Sequence, residues 1–190
     1  SYTGEARGVE GQIIRWVVAE QLASYEFPSA NAPIIRAMQL PERYLITGKF
    51  DNRDDFLNKL IIALDKGIKL VQLRLKKHSL SHDEITSLIE ESSMLCAKAS
   101  ARLLLNVPQE YLEATDISYI QIDGYHADSR MLDKLSSRPE GGLFSASCHN
   151  LDELFKAQQL GADFVVLSPV QETASHPGAE PLVGSSSLIW

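Results

Sequence analysis

The sequence predicts an α/β fold of parallel strands and helices, built like a (β/α)8 TIM barrel. From Arg43 onward short apolar runs alternate with helical patterns, and the run from Phe164 to Leu167 has no polar alternation, as in a strand buried on both faces of a parallel sheet. Polar residues follow the predicted strand ends, where such barrels place functional groups; they are Thr47, Lys76, Asn106, Asp123, His149 and Ser168. This distribution favours a barrel over an open doubly wound sheet.

The predicted elements follow one another in a regular order. Strands are expected at Tyr44 to Thr47, Leu70 to Arg74, Leu103 to Asn106, Tyr119 to Ile122, Leu143 to Ser147 and Phe164 to Ser168. Helices are expected at Asp54 to Asp65, after Ser81, at Pro108 to Ala114, at Ser129 to Leu135 and from Leu151 to Leu160. Ser81 and Glu84 have the spacing of a capping box, which fixes the start of the second helix.

The barrel is expected to be incomplete, at about six strands. Only twenty residues follow Val170, and the final SSSLIW does not have the pattern of another β/α unit. The chain opens with Ser1 rather than Met, so we expect it to be a piece of a longer protein.

Residues 1–40 have a different pattern from the rest. Gln12 to Val18 predicts a strand, Ala19 to Ser24 a helical turn, and Ile34 to Leu40 one or two further turns. These elements are too few for a domain of their own. We therefore divide the chain into residues 1–40 and residues 41–190.

The composition indicates which classes of binding partner and which cellular compartment to expect. The chain has 190 residues, 44% of them hydrophobic, and a formal net charge of -7, which disfavours nucleic acid polymers and anionic membranes as partners. No apolar run approaches the roughly 18 residues of a membrane span. With Cys96 and Cys148 as the 2 cysteines, a disulfide framework is not expected, and we expect the protein to be cytoplasmic.

Several segments carry a resemblance to known families. YLITG, GIKLVQLRLKK, RLLLN, SASCHNLDEL and GADFVVLSPVQET resemble the thiamine phosphate synthase and TenI-like superfamily across about residues 43–182. EGQIIRWV and FPSANAPIIRAMQLP resemble the C-terminal end of MutT-type Nudix hydrolases. The order implies the C-terminal part of a Nudix and thiamine phosphate synthase-like fusion, with residues 1–40 as the Nudix tail and residues 41–190 as the incomplete barrel.

The second predicted strand carries the main substrate-binding candidates. In the synthases a Gln-x-Arg-x-Lys pattern contacts a pyrimidine pyrophosphate, and the resemblance transfers this role to Gln72, Arg74 and Lys76. Alternate residues of a strand share one face, and two cations suit a phosphorylated ligand. The alternative is that Arg74 and Lys76 are solvated surface charges.

The third strand end departs from the family pattern. Asn106 matches an asparagine that can hydrogen-bond a pyrimidine, but Val107 stands where the synthases have an aspartate that binds magnesium. We therefore expect no magnesium site and no cofactor in this chain, although both full families use magnesium.

Ser147 and His149 match the family's Ser-x-His after the fifth strand. In TenI-like thiazole tautomerases the histidine is an acid/base, a role that suits its pKa. The alternative is that His149 helps Asn150 to cap the next helix. The resemblance also assigns phosphate binding to Thr173 and Ser175, where the family's lysine has become His176.

Asn31 matches the asparagine with which MutT-type enzymes read an oxidised guanine base. Its alternative role is an Asx-turn before Pro33. The Nudix box, whose glutamates hold magnesium, has no counterpart in the chain, so we expect no nucleotide hydrolysis.

These observations leave three functions open. The first is a barrel that binds a small phosphorylated aminopyrimidine or thiazole but has impaired synthase activity. The second is a TenI-like tautomerase that uses His149, and the third is a regulatory or structural domain that is not an enzyme. The expected partners are the small heterocycle and a Nudix domain in cis, with a homodimer as an open alternative.

Overall fold

The computed structural model describes residues 3–75 and 80–168, and the chain divides into two compact units, Ser1–Leu40 and Pro41–Trp190. The first unit contains 3-10 turns at Ala19–Ser24 and Ser29–Asn31 and helix α1 at Ala32–Met38. The prediction of a strand at 12–18 was wrong, because these residues form no strand in the structure. A strand needs a neighbouring backbone to pair with, and here Ile13 and Trp16 are exposed instead of packing on a sheet.

The second unit alternates strands and helices throughout its described residues. The strands are β1 Tyr44–Ile46, β2 Leu70–Arg74, β3 Arg102–Asn106, β4 Gly124–Ala127, β5 Leu143–Cys148 and β6 Phe164–Leu167. The helices are α2 Arg53–Asp65, α3 His82–Lys98, α4 Gln109–Ala114, α5 Ser129–Lys134 and α6 Leu151–Gln159. Among the described residues, no helix combines the length and the apolar character needed to cross a bilayer.

The sheet has the strand order of a barrel. Its 6 strands are all parallel and pair in the order β1-β2-β3-β4-β5-β6, without the reversal of a doubly wound sheet. In a flat sheet β1 and β6 would stand about 24 Å apart. The rings of Tyr44 on β1 and Phe164 on β6 instead meet edge to face, with 5.2 Å between centroids. The sheet is therefore curled into a half-barrel, which confirms the predicted fold class.

Apolar residues on the outer face of the sheet pack against the helices. Val71, Leu73, Leu103 and Leu105 are buried against α2 and α3, in one cluster with Leu60, Leu88 and Ile89. A second cluster lies around β5 and α6 and includes Phe144, Ala146 and Leu154. Because alternate residues point the other way, the concave face carries the intervening positions, several of them polar.

Two aspartates repeat the same contact at the amino ends of the strands. The Leu103 amide donates to Asp123 Oδ2 at 2.8 Å, and the Phe144 amide donates to Asp163 Oδ2, also at 2.8 Å. In the opposite direction, the Asp123 amide donates to the Leu103 carbonyl at 2.9 Å, and the Asp163 amide donates to the Phe144 carbonyl at 2.7 Å. Asp123 therefore precedes β4 at the amino end of the sheet, and its predicted place at a carboxyl end was wrong.

The fourth strand lies later in the chain than predicted. Residues 119–122 form no strand; the Ile120 amide donates to the Ile117 carbonyl in a turn, and both side chains are buried in the core. The strand begins at Gly124, where φ is +151° and a Cβ would meet the Leu143 carbonyl oxygen at 1.8 Å. Because Gly124 has no side chain, β4 can approach β5 closely at this position. The residues of β4 are less apolar than those of the preceding turn at 117–120.

The helix starts position the residues around the carboxyl end of the sheet. The predicted capping box is confirmed, since the Ser81 amide donates to Glu84 Oε2 at 2.7 Å and the Glu84 amide donates to Ser81 Oγ at 3.3 Å. Asp128 and Asn150 cap α5 and α6 by accepting from amides of the first turn, at 2.8 Å and 2.9 Å. The segments that join β4 to α5 and β5 to α6 are therefore short and anchored.

Candidate functional site

A cavity of about 800 Å³ opens at the carboxyl end of the sheet. Among the residues that line it are Ile46, Gln72, Arg74, Asn106, Ser147, Val166 and Ser168 from the strands and their ends, and Glu110, Asp128, Arg130, Lys134 and His149 from loops and helices. Most are separated by whole β/α units and meet because parallel strands end at one edge. This is the usual place for a functional site in a β/α fold.

The structure brings together five of the predicted site residues. Gln72, Arg74, Asn106, Ser147 and His149 all line this cavity. Lys76, Thr173 and Ser175 lie outside the described residues.

Asn31 lies in the first unit, at the end of a 3-10 turn. Its amide donates to the Pro28 carbonyl at 2.8 Å, and its side chain makes no capping hydrogen bond to α1. The Asx-turn and base-reading roles of this residue both stay predictions.

Hydrogen bonds orient the two amide side chains. Asn106 Nδ2 donates to Gln72 Oε1 at 2.9 Å, and Gln72 Nε2 donates to the Tyr44 hydroxyl at 3.0 Å. Gln72 and Asn106 are 1% and 5% exposed, so these bonds satisfy polar groups that water hardly reaches. The two amides are thereby held in fixed orientations at the base of the cavity.

His126 is the main polar residue that the sequence analysis missed. It lies on β4 and is 1% exposed, with Nδ1 at 2.7 Å from Ser145 Oγ and Nε2 at 2.8 Å from Ser147 Oγ. Nδ1 also lies 3.3 Å from the Tyr44 hydroxyl. The sequence analysis missed His126 because it predicted the fourth strand at 119–122. Asp128, two positions after His126, could have revealed it, because a helix cap at Asp128 indicates that a strand ends just before it.

The Tyr44 hydroxyl joins the amides to the histidine. Burial raises the pKa of Tyr44 to about 12, while hydrogen bonds with Gln72 and Ser145 act in the opposite direction. The hydroxyl therefore keeps its proton at neutral pH. Together these residues form a continuous polar network across β1 to β5, beneath the cavity.

His149 forms a second polar group at the rim. Its Nδ1 lies 3.0 Å from Glu153 Oε2 and 2.9 Å from Ser129 Oγ, and its backbone amide donates to the same Glu153 oxygen at 2.6 Å. A carboxylate at Nδ1 favours a proton on that nitrogen and leaves Nε2 as the basic atom. The capping role belongs to Asn150, whose side chain accepts from the Glu153 amide.

Charges of both signs surround the mouth of the cavity. Arg74 is exposed there, and its backbone amide donates to Thr47 Oγ at 2.9 Å. Arg130 and Lys134 add two cations from α5, and Glu110 and Asp128 add two carboxylates. The sequence analysis singled out only Arg74 among these five. These cations would favour an anionic group of a ligand at the mouth of the cavity.

The described residues that line the cavity do not fit a magnesium site of the synthase type. Val107 is apolar, 5% exposed and part of the hydrophobic core, so it offers no oxygen ligand. Within residues 3–75 and 80–168, no three His, Cys, Asp or Glu side chains are grouped as metal ligands. Mg²⁺ requires near-octahedral oxygen ligation, for which the described lining supplies two separate carboxylates.

Comparisons with known proteins all indicate the same family. The family model described as thiamine monophosphate synthase matches residues 43–190. A provisionally named thiamine-phosphate synthase 2 of Aquifex aeolicus is 34% identical over 148 residues, which cover 76% of this chain and 75% of that protein. A thiamine-phosphate synthase of Limosilactobacillus fermentum is 30% identical over 152 residues, which cover 76% of this chain and 69% of that protein.

A solved structure supports the fold. The thiamine phosphate pyrophosphorylase from Pyrococcus furiosus superposes with a TM-score of 0.51 at 19% sequence identity. The match covers 68% of this chain and 61% of that chain. The similarity extends over the half-barrel architecture and, at this identity, concerns the fold alone.

Proposed function

Because the chain belongs to the thiamine monophosphate synthase family, we propose that its second unit binds a small phosphorylated heterocycle, an aminopyrimidine or a thiazole phosphate. The ligand would lie in the cavity at the carboxyl end of the sheet. Gln72, Asn106 and Ser147 would hydrogen-bond the ring, and Arg74 would pair with the phosphate. Lys76, Thr173 and Ser175 stay predicted phosphate contacts outside the described residues.

The observation that carries this proposal is the combination of polar groups in one cavity. Its base offers uncharged donors and acceptors, which suit the edge of a heterocycle, and its mouth offers the Arg74 guanidinium, which suits a phosphate. These groups come from strands β2, β3 and β5 and are brought together by the curl of the sheet.

We propose that synthase turnover is weak or absent in this chain. The resemblance places a magnesium-binding aspartate where Val107 stands, and Val107 packs into the core. Pyrophosphate departure in the synthases depends on charge neutralisation, which Val107 cannot assist. Val107 also lines the cavity, but the hydrogen bonds and the phosphate contact proposed for binding come from other residues.

Thermal unfolding in the presence of ligands tests the proposal. A ligand that binds only the folded state raises the midpoint, by an amount that grows with its concentration above the dissociation constant. We expect aminopyrimidine and thiazole phosphates to raise it, and inorganic phosphate to raise it less. If none of the heterocycles shifts the midpoint at millimolar concentration, the unit is a regulatory or structural domain.

A tautomerase is the second candidate, favoured by the contact between His149 and Glu153. The carboxylate holds the imidazole with Nε2 as the basic atom, at the rim of the same cavity. A base held in this way can move a proton on a bound thiazole carboxylate phosphate. Proton exchange into the thiazole, followed by NMR in deuterated water, distinguishes this activity from binding alone.

The Nudix assignment of residues 1–40 stays a prediction. The family model begins at residue 43 and so does not bear on this unit. If a Nudix domain precedes it in the parent protein, Asn31 would complete that domain's base-binding site. Sequencing the flanking DNA would decide this question, and with it the proposed partner in cis.

A further inference from the structure

Tyr44 lies beneath the cavity, at the junction of two hydrogen-bonded arms. One arm runs through Gln72 to Asn106, and the other runs through His126 to Ser147. The far member of each arm lines the cavity, whereas Tyr44 itself does not. The phenol hydroxyl could therefore influence a ligand only through other side chains.

The first arm has a defined direction. Gln72 Nε2 donates to the Tyr44 hydroxyl, so the Gln72 carbonyl Oε1 is the atom that accepts from Asn106 Nδ2. Asn106 then has its carbonyl oxygen Oδ1 as the acceptor to offer to a ligand. If the Gln72 amide were turned over, the bond to Asn106 would bring two donors together, unless Asn106 turned as well.

The second arm has a direction that follows from the first. The Tyr44 oxygen already accepts from Gln72, so its own proton is available to His126 Nδ1, which lies 3.3 Å away. Ser145 Oγ lies 2.7 Å from the same Nδ1. When Nδ1 accepts a hydrogen bond from the Tyr44 hydroxyl or from Ser145, it carries no proton itself, and the histidine proton is on Nε2. Nε2 then donates to Ser147 Oγ, which frees the Ser147 hydroxyl proton for the cavity.

We propose that Tyr44 is a positioning residue whose hydroxyl sets the direction of both arms, so that Asn106 presents an acceptor and Ser147 presents a donor to the ligand. This arrangement matches a ring that carries an amino group next to an unprotonated ring nitrogen, as an aminopyrimidine does. It disfavours a thiazole, which has no amino group to donate. The inference rests on the proposed function for its ligand, and it selects the aminopyrimidine over the thiazole as the preferred class.

The histidine proton can be located without any ligand. Nitrogen NMR of the full chain with labelled histidine separates a protonated from an unprotonated ring nitrogen, and His126→Asn identifies the signals of His126. We expect the wild-type His126 to carry its proton on Nε2, and Tyr44→Phe to shift part of the population to Nδ1. A wild-type His126 with its proton on Nδ1 would overturn the proposal, whether or not any variant folds.

Binding provides the second measurement, with Tyr125→Phe as the matched control. Tyr125 is a half-buried tyrosine of β4 that packs against the outer core and does not line the cavity at the carboxyl end of the sheet. We expect Tyr44→Phe to weaken an aminopyrimidine phosphate roughly tenfold, the effect of one or two misdirected hydrogen bonds, and Tyr125→Phe to have little effect. The Tyr44→Phe ring retains the contact with Phe164, so a difference between the two variants reports the hydroxyl.

The two proposals fail in different ways. If wild type binds the aminopyrimidine phosphate and Tyr44→Phe changes neither its affinity nor the His126 proton, the positioning role is overturned and the proposed function stands. If wild type binds no heterocycle but the His126 proton responds to Tyr44→Phe, the proposed function fails and the role of Tyr44 in setting the network is supported.

Discussion

One carboxylate oxygen, Asp163 Oδ2, accepts from both the Arg138 guanidinium at 2.6 Å and the Phe144 amide at 2.8 Å. The Asp163 side chain is 3% exposed, so the bonds are largely shielded from water. The residue thereby ties the start of β6 to the start of β5 and to the segment before it. This contact lies at the opposite end of the sheet from the cavity.

Asp163→Ala is therefore expected to destabilise the fold without acting on the ligand site. The change leaves the Phe144 amide without its acceptor and the partly buried Arg138 without its counter-ion, at an expected cost of about 2 to 3 kcal/mol in the free energy of unfolding. Urea unfolding measures this, with Asp65→Ala as a control, since Asp65 is an exposed acid at the end of α2. Equal effects of the two changes would contradict the assigned role.

Arg74→Ala is expected to separate phosphorylated from unphosphorylated ligands. Charge-assisted bonds to phosphate are the stronger ones, so the change should weaken an aminopyrimidine phosphate by about 2 kcal/mol and the corresponding alcohol hardly at all. Calorimetric titration measures both, with Arg53→Ala as a control because Arg53 pairs with Glu91 and does not line the cavity. A similar loss for both ligands would show that Arg74 shapes the cavity and does not bind phosphate.

His149→Ala is expected to remove proton-transfer turnover and to preserve binding, because an acid/base acts mainly in the transition state. Glu153→Gln should lower turnover less, since the amide can still accept from Nδ1 while its charge is lost. Isotope exchange into the thiazole and a calorimetric titration give the two readouts. Turnover that survives in His149→Ala would exclude His149 as the acid/base.

The buried thiols are expected to make the fold sensitive to alkali. Burial raises the pKa of Cys96 from 9.0 to about 12 and that of Cys148 to about 11. The folded state thus holds these protons more tightly than the unfolded state, so the contribution is complete below about pH 9 and is lost as the pH rises towards 12. Urea unfolding across this range should show a decline that is shallower in Cys96→Ala.

Thiol labelling provides an independent check on the same groups. At neutral pH both thiols should react with a disulfide reagent on the order of a hundredfold more slowly than a free cysteine, because the thiolate is scarce and access is poor. Denaturation should restore the ordinary rate. Rapid labelling of the folded protein would contradict the burial of Cys96 and Cys148.

The sequence predicted the strands that are marked by local composition. β2 and β3 contain three or more consecutive buried apolar or amide positions, and β5 is followed by a helix whose start is marked by Asn150. The fourth strand could not be found in this way. Gly124 and His126 weaken its apolar pattern, and the more apolar turn at Ile117 and Ile120 is buried for a tertiary reason.

The same distinction applies to the site. Gln72, Arg74 and Asn106 could be predicted to lie together because they stand at strand ends, and all three line the cavity. Tyr44 and His126 could not, since their contact joins residues 82 positions apart and depends on the curl of the sheet. Local periodicity says which face a side chain takes, but not which distant side chain it meets.

The edge-to-face contact between Tyr44 and Phe164 has a consequence for the order of folding. Each strand pairing joins neighbours in sequence, and such short loops close early, whereas these two rings are separated by 120 positions (164 − 44) and can meet only after the intervening strands have assembled. The tyrosine ring would then be among the last to leave water. The difference between the ultraviolet signals of wild type and Tyr44→Phe during refolding would consequently time the completion of the curved sheet, later than any helix signal from α2 or α3.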